Sequence, residues 1–129
     1  IYLGNIYAKR DWGYSLDYVE AMWKMLQHKK AEDFVISSGM NYTVKSFVNK
    51  VAKNIGLQLK WKGKGLDEVA IDKKRNKIVL KIKKEFFRPT EIKSTFGNSS
   101  KARRILKWKP KTDFDSLVKI MCDAELSKY

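Results

Sequence analysis

The chain has 129 residues, 43% of them hydrophobic, with 28 Lys and Arg against 14 Asp and Glu for a formal net charge of +14. That suffices for the core of one domain, and no apolar run approaches the ~20 residues that cross a bilayer, so a soluble protein without a membrane partner is expected. One cysteine (Cys122) excludes an internal disulfide. With a single histidine (His28) it also excludes a Cys/His zinc site, and a reducing, cytoplasmic setting fits.

The charge invites a nucleic-acid partner. Yet lysines are spread over every segment, and no zinc-finger, RNP-type or basic-zipper pattern accompanies them. The same charge suits an anionic small molecule.

Ile1-Tyr2-Leu3-Gly4-Asn5 has neither an initiator Met nor a signal-peptide layout, and reads as the interior of a longer chain. Residues 1–12 begin extended. Ser15 is placed as the N-cap of a first helix, with Asp17 and Glu20 in its first turn. Leu16, Val19, Met22, Trp23 and Leu26 share one face at helical spacing and are expected to pack in the core. His28, at the end of that helix, is expected to be exposed and without a catalytic role.

Phe34-Val35-Ile36-Ser37 reads as a short strand. Thr43 caps a second helix whose face is Val44, Phe47, Val48, Val51, Ala52 and Ile55, stopped by Gly56. Leu57, Leu59 and Trp61 alternate with polar residues as in a strand, and Lys62-Gly63-Lys64-Gly65 is a basic loop without Walker spacing. Residues 69–72 and 78–82 flank a polar loop and predict a β-hairpin. Further on, Ser99 or Ser100 starts a short helix through Leu106, with Ala102, Ile105 and Leu106 inward. Thr112 and Asp115 resemble a capping box for the last helix, which buries Phe114, Leu117, Val118, Met121 and Cys122.

Between hairpin and short helix lies Phe86-Phe87-Arg88-Pro89-Thr90-Glu91. Pro89 fixes its own φ and keeps Arg88 out of helical geometry. The guanidinium and the Glu91 carboxylate are then held in a set relation, with the two phenylalanines expected beneath as anchors. An arginine fork suits a phosphate, and a carboxylate accepts from a pair of sugar hydroxyls. A plain surface turn is the competing reading. Arg10 is similarly divided between an ion pair with Asp11 and ligand binding. No G-x-G-x-x-G lies between a strand and a helix, and no Tyr-x-x-x-Lys or Ser/His/Asp set is available. From the residues alone this is an anion-binding α/β module whose chemistry is not visible.

Six stretches together are distinctive: Leu3-Gly4-Asn5-Ile6-x-Ala8-Lys9-Arg10-Asp11-Trp12-Gly13, Asp17-Tyr18-Val19-Glu20-Ala21-Met22-Trp23, Phe34-Val35-Ile36, Trp61-Lys62-Gly63-Lys64-Gly65, Phe87-Arg88-Pro89-Thr90-Glu91 and Lys107-Trp108-Lys109-Pro110. In that order they resemble the carboxyl-terminal part of the GDP-mannose 4,6-dehydratases, over essentially the whole chain. The chain departs from that family at Tyr14, where histidine is frequent, and at Ile6-Tyr7, where Leu-Asp or Met-Asp is common.

The resemblance implies an α/β fold: the C-terminal nucleotide-sugar-binding module of an extended short-chain dehydrogenase/reductase, with short strands and about four helices. Residues 1–129 would be a single partial domain, with the NADP-binding Rossmann domain and the catalytic residues upstream. It implies conversion of GDP-mannose to GDP-4-keto-6-deoxy-mannose plus water, as in GDP-fucose-type biosynthesis, by a dimeric or tetrameric enzyme. It further implies substrate-binding roles for Arg10, Arg88 and Glu91 on the diphosphate and ribose, and for Gly4 and Asn5 at the floor of the nucleotide site. A related GDP- or UDP-sugar reductase or epimerase, or a non-enzymatic nucleic-acid-binding module, remains the alternative.

Overall fold

Among the described residues, six short strands and four helices follow in the order β1 (Tyr2–Leu3), β2 (Lys9–Arg10), α1 (Ser15–Leu26), β3 (Tyr42–Thr43), α2 (Val44–Asn54), β4 (Leu59–Lys62), β5 (Val69–Asp72), β6 (Lys77–Ile82), α3 (Ser100–Ile105) and α4 (Phe114–Leu126). The computed structural model describes residues 1–87, 92 and 94–128. The main sheet has the order β1-β6-β5-β4. Strands β4, β5 and β6 form an antiparallel meander, whereas β1 joins its edge in parallel, Tyr2 opposite Lys81 and Leu3 opposite Ile82. The expected hairpin is present and turns through Lys73–Asn76, with Asn76 at φ 50°.

Alternation decides the faces of this sheet. Ala70, Leu80 and Ile82 point inward with Ile6, against Val44 and Val48 of α2, while Lys60, Lys62 and Lys81 face solvent. Helix α2 is built as its spacing indicates. Thr43 accepts a hydrogen bond from the Ser46 amide at 3.0 Å, and Gly56 at φ +75° lets the Leu57 amide reach back to the Ala52 carbonyl. Its other flank, Phe47 and Val51, packs on α4 through Phe114, Val118 and Cys122. Trp12 stacks on Phe47 at 4.7 Å and Tyr42 on Phe114 at 4.0 Å, which ties the β2–β3 pair to the same cluster.

Other expectations are corrected. Helix α1 lies where predicted, but its N-cap position is Tyr14, with no side-chain cap bond, rather than Ser15. Its apolar stripe is not in the core: Leu16, Val19, Met22, Trp23 and Leu26 are between 55 and 83% exposed. The face that packs carries Asp17 and Ala21 instead, against Ala102, Leu106 and Trp108. The Trp108 indole N–H donates to the Asp17 carbonyl at 2.9 Å, and the Asp17 carboxylate accepts from the Lys111 and Thr112 amides at 3.1 and 2.9 Å. That carboxylate fastens the α3–α4 connection to α1.

Residues 34–37 form no ladder among the described residues, so the expected strand is not seen there. His28 is half-buried, edge-on to Phe34. Ser99 holds the N-cap position of α3 as expected, but the side-chain acceptor there is Asn98, which takes the Ser100 amide. The cap of α4 is Asp113 rather than Thr112: its carboxylate accepts from the Ser116 amide at 2.8 Å, while the Thr112 amide donates to Asp17. Met121 is half exposed, one position off the buried stripe.

Candidate functional site

The loop from Gly4 to Arg10 leaves β1 and gathers the candidate residues. Gly4 lies directly beneath the turn at Lys84–Phe86, where any Cβ would collide with the Phe86 carbonyl. A side chain there would push apart the two segments that frame the loop. Asn5 uses its side-chain carbonyl to accept from the Tyr7 amide at 3.0 Å, an Asx turn that starts the loop. Ile6 and Ala8 are buried, and their carbonyls accept from the Lys45 and Val44 amides at the first turn of α2, at 2.8 and 3.2 Å. The intervening Tyr7 is exposed on the opposite side.

Arg10 ends the loop. Its guanidinium donates to the Lys9 and Ile92 carbonyls, both at 2.8 Å, so it stands against the residue that follows the predicted clasp. Lys9 bridges Ser94, and its carbonyl accepts from the Thr95 amide at 3.2 Å. The neighbouring Asp11 carboxylate accepts from the Ser38 and Gly39 amides at 2.9 and 3.0 Å. Asn5, Tyr7, Ala8, Lys9 and Ser94 line an open cavity of ≈ 430 Å³. Of the candidate residues Asn5 alone lines that cavity, while Gly4 and Arg10 stand at the two ends of the same loop and Arg88 and Glu91 lie outside the described residues. Phe86 and Phe87, expected as anchors, are substantially exposed.

A larger trough of ≈ 470 Å³ between α2 and α4 contains none of the candidate residues; Lys50, Lys53 and Lys119 surround it, with Lys50 paired to Asp115.

Sequence reasoning passed over Glu68. It stands two residues before Ala70 and four before Asp72, so strand alternation turns all three inward, and it is 2% exposed. Lys45 donates to it at 2.6 Å and the Tyr7 hydroxyl at 2.8 Å. Burial pushes the Glu68 carboxyl up, but the bonds from Lys45 and Tyr7 outweigh it and the net shift is downward. For Lys45, burial acts downward most strongly, but the bonds and charges of Glu68 and Tyr7 together outweigh it and leave the ammonium above its ordinary value. Both groups are charged at neutral pH.

This architecture is shared with solved structures. RMD from Pseudomonas aeruginosa, complexed with NADPH, superposes with a TM-score of 0.74 at 15% identity, over 100% of this chain and 36% of that one. A putative epimerase from Burkholderia cenocepacia gives 0.76 at 25% identity, over 98% and 36%. The dTDP-glucose 4,6-dehydratase from Bacillus anthracis gives 0.71 at 17%, over 98% and 34%. The fold is therefore that of a portion of the extended short-chain dehydrogenases/reductases.

Sequence narrows the class. The family model for GDP-mannose 4,6 dehydratase matches residues 1–121. The Dictyostelium discoideum GDP-mannose 4,6 dehydratase is 49% identical over 94% of this chain and 34% of its own length, and the human one 44% identical over 96% and 33%. The chain belongs to the GDP-mannose 4,6-dehydratase family. It spans about a third of the length of the curated relatives it matches, aligned with their carboxyl-terminal portion.

Proposed function

We infer that this chain is the substrate-binding part of a GDP-mannose 4,6-dehydratase, a carbon–oxygen lyase that converts GDP-mannose to GDP-4-keto-6-deoxy-mannose and water. The observation that carries the reading is the match across residues 1–121, with the loop ending in Arg10 set against Ile92. In this reading Arg10 and Arg88 neutralise the diphosphate, and Glu91 accepts from the ribose hydroxyls. Gly4 and Asn5 shape the floor through the backbone. Two guanidiniums against two phosphate charges give charge-assisted, directional contacts.

The reaction needs NADP as hydride carrier. The chain's own residues do not fit that cofactor, because no glycine-rich turn joins any strand to the helix after it; no step through NADP is assigned to them. Cofactor binding and proton transfer then belong to a companion Rossmann domain. The exposed stripe of α1 and the unladdered segment 34–37 support such a neighbour, since a contiguous apolar surface of this kind marks an interaction site. The chain alone binds and orients substrate without turning it over.

Titration calorimetry of the 129-residue chain with GDP and GDP-mannose tests the reading. Heat of binding is expected for both, and Arg88→Ala should cost about 1.5–3 kcal/mol of it. A folded sample that gives no heat at millimolar nucleotide overturns the assignment, and unchanged affinity in Arg88→Ala overturns the role of that arginine.

A further inference from the structure

Glu68, Lys45 and Tyr7 meet from three separate segments: the end of the 65–67 turn, the first turn of α2, and the loop between β1 and β2. In a chain with twice as many bases as acids, this acid is buried and fully engaged. Its Oε1 takes Lys45 at 2.6 Å, and the Tyr7 hydroxyl donates at 2.8 Å to Oε2 and at 3.1 Å to Oε1. The Lys45 ammonium also lies 4.5 Å above the Trp61 ring and 5.3 Å from the Tyr7 ring centre. Tyr7 itself is 55% exposed, so solvent exclusion does not account for where its hydroxyl points. The same loop is gripped by its backbone: α2 donates the Val44 and Lys45 amides to the Ala8 and Ile6 carbonyls. Side-chain and main-chain ties therefore converge on Ile6–Ala8, two residues before Arg10.

We propose that Tyr7, Lys45 and Glu68 form a clamp that sets the Asn5–Arg10 loop in its ligand-binding shape before a nucleotide diphosphate arrives. The three act as positioning residues. The proposal rests on the nucleotide-sugar reading of the Arg10 loop. Ordering a loop in advance removes a cost that binding would otherwise meet, so the clamp acts on affinity. A purely structural triad would instead act on stability alone.

Tyr7→Phe in the full chain keeps the ring and the Lys45–Glu68 pair and removes one hydroxyl. GDP affinity is expected to weaken about fivefold, the amides of Ile6–Arg10 to exchange faster, and those of α4 to keep parental protection. Glu68→Gln should weaken GDP binding about tenfold or more, and adding Tyr7→Phe should cost little beyond that, because both remove the same tie. Parental GDP affinity and loop protection in Tyr7→Phe, with only the melting temperature lowered, overturn the clamp and leave the nucleotide reading intact. Absence of GDP binding by the parent chain overturns that reading and the clamp's purpose with it. Tyr7→Phe keeps the test decisive should Glu68→Gln fail to fold.

Discussion

Helices α1 and α4 are of similar length, 12 and 13 residues, and each carries an apolar stripe, yet they sit in the fold in opposite ways. Helix α4 buries Phe114, Leu117, Val118 and Cys122, and packs Phe114, Val118 and Cys122 against α2. Helix α1 turns Asp17 and Ala21 inward and leaves Leu16, Val19, Met22, Trp23 and Leu26 open. Helical periodicity therefore identifies a surface that wants covering. It does not say whether the cover lies within the same chain.

The sharpest way to test the contrast is to delete one aromatic from each stripe. Phe114→Ala should cost about 3–5 kcal/mol in urea unfolding, since it removes a ring buried between Tyr42 and Phe47. A cost under about 1 kcal/mol would show that the α2–α4 cluster is not the core it resembles. Asp17→Ala should follow at about 2–4 kcal/mol, because two amides of the α3–α4 connection lose their acceptor. That result would show α1 to be held by its polar face.

A third, smaller difference lies at the two caps. Tyr14 gives α1 no side-chain cap, while the Asp113 carboxylate caps α4, and hydrogen bonds from Ser116 hold its pKa below the usual range. A depressed folded value means that its stabilisation is complete above the ordinary carboxylate pKa and fades as pH falls through the lowered one. Asp113→Ala should thus be less stable than the parent at pH 7 and converge with it in acid. A gap that persists at low pH would remove the carboxylate from the account. The smallest effect belongs to Trp23→Ser, expected to move unfolding by less than about 0.5 kcal/mol while reducing self-association in sedimentation velocity. A large loss of stability there would place the α1 stripe inside the core after all.

What could be read in advance follows from which forces are local. The cap at Thr43, the stop at Gly56 and the face of α2 are set by neighbours three or four residues away, and the sequence carries them openly. The cap of α4 lies at Asp113, one residue past Thr112, and Asp17, 95 residues earlier, accepts from the Thr112 amide, a tie that no local pattern encodes. Residues 34–37 have strand composition, but a strand also needs a neighbour to pair with. Gly4, Asn5 and Arg10 belong to one contiguous family motif, which folds into a single loop; their substrate roles belong to the proposed reading. Glu68 was hidden because its partners are 61 and 23 positions away, although its alternation with Ala70 and Asp72 would have placed it facing inward.

The parallel seat of β1 on β6 also bears on the order of events during folding. The β4–β5–β6 meander and α2 close over short separations, whereas β1 pairs with β6 and the Ile1 backbone nitrogen reaches the Val79 carbonyl across 78 residues. Closing so long a loop comes after the entropy of everything between has been reduced. The strand that launches the Gly4–Arg10 loop is therefore expected to dock last. Binding competence would then be the final property the chain acquires, a built-in signal that the rest has already folded.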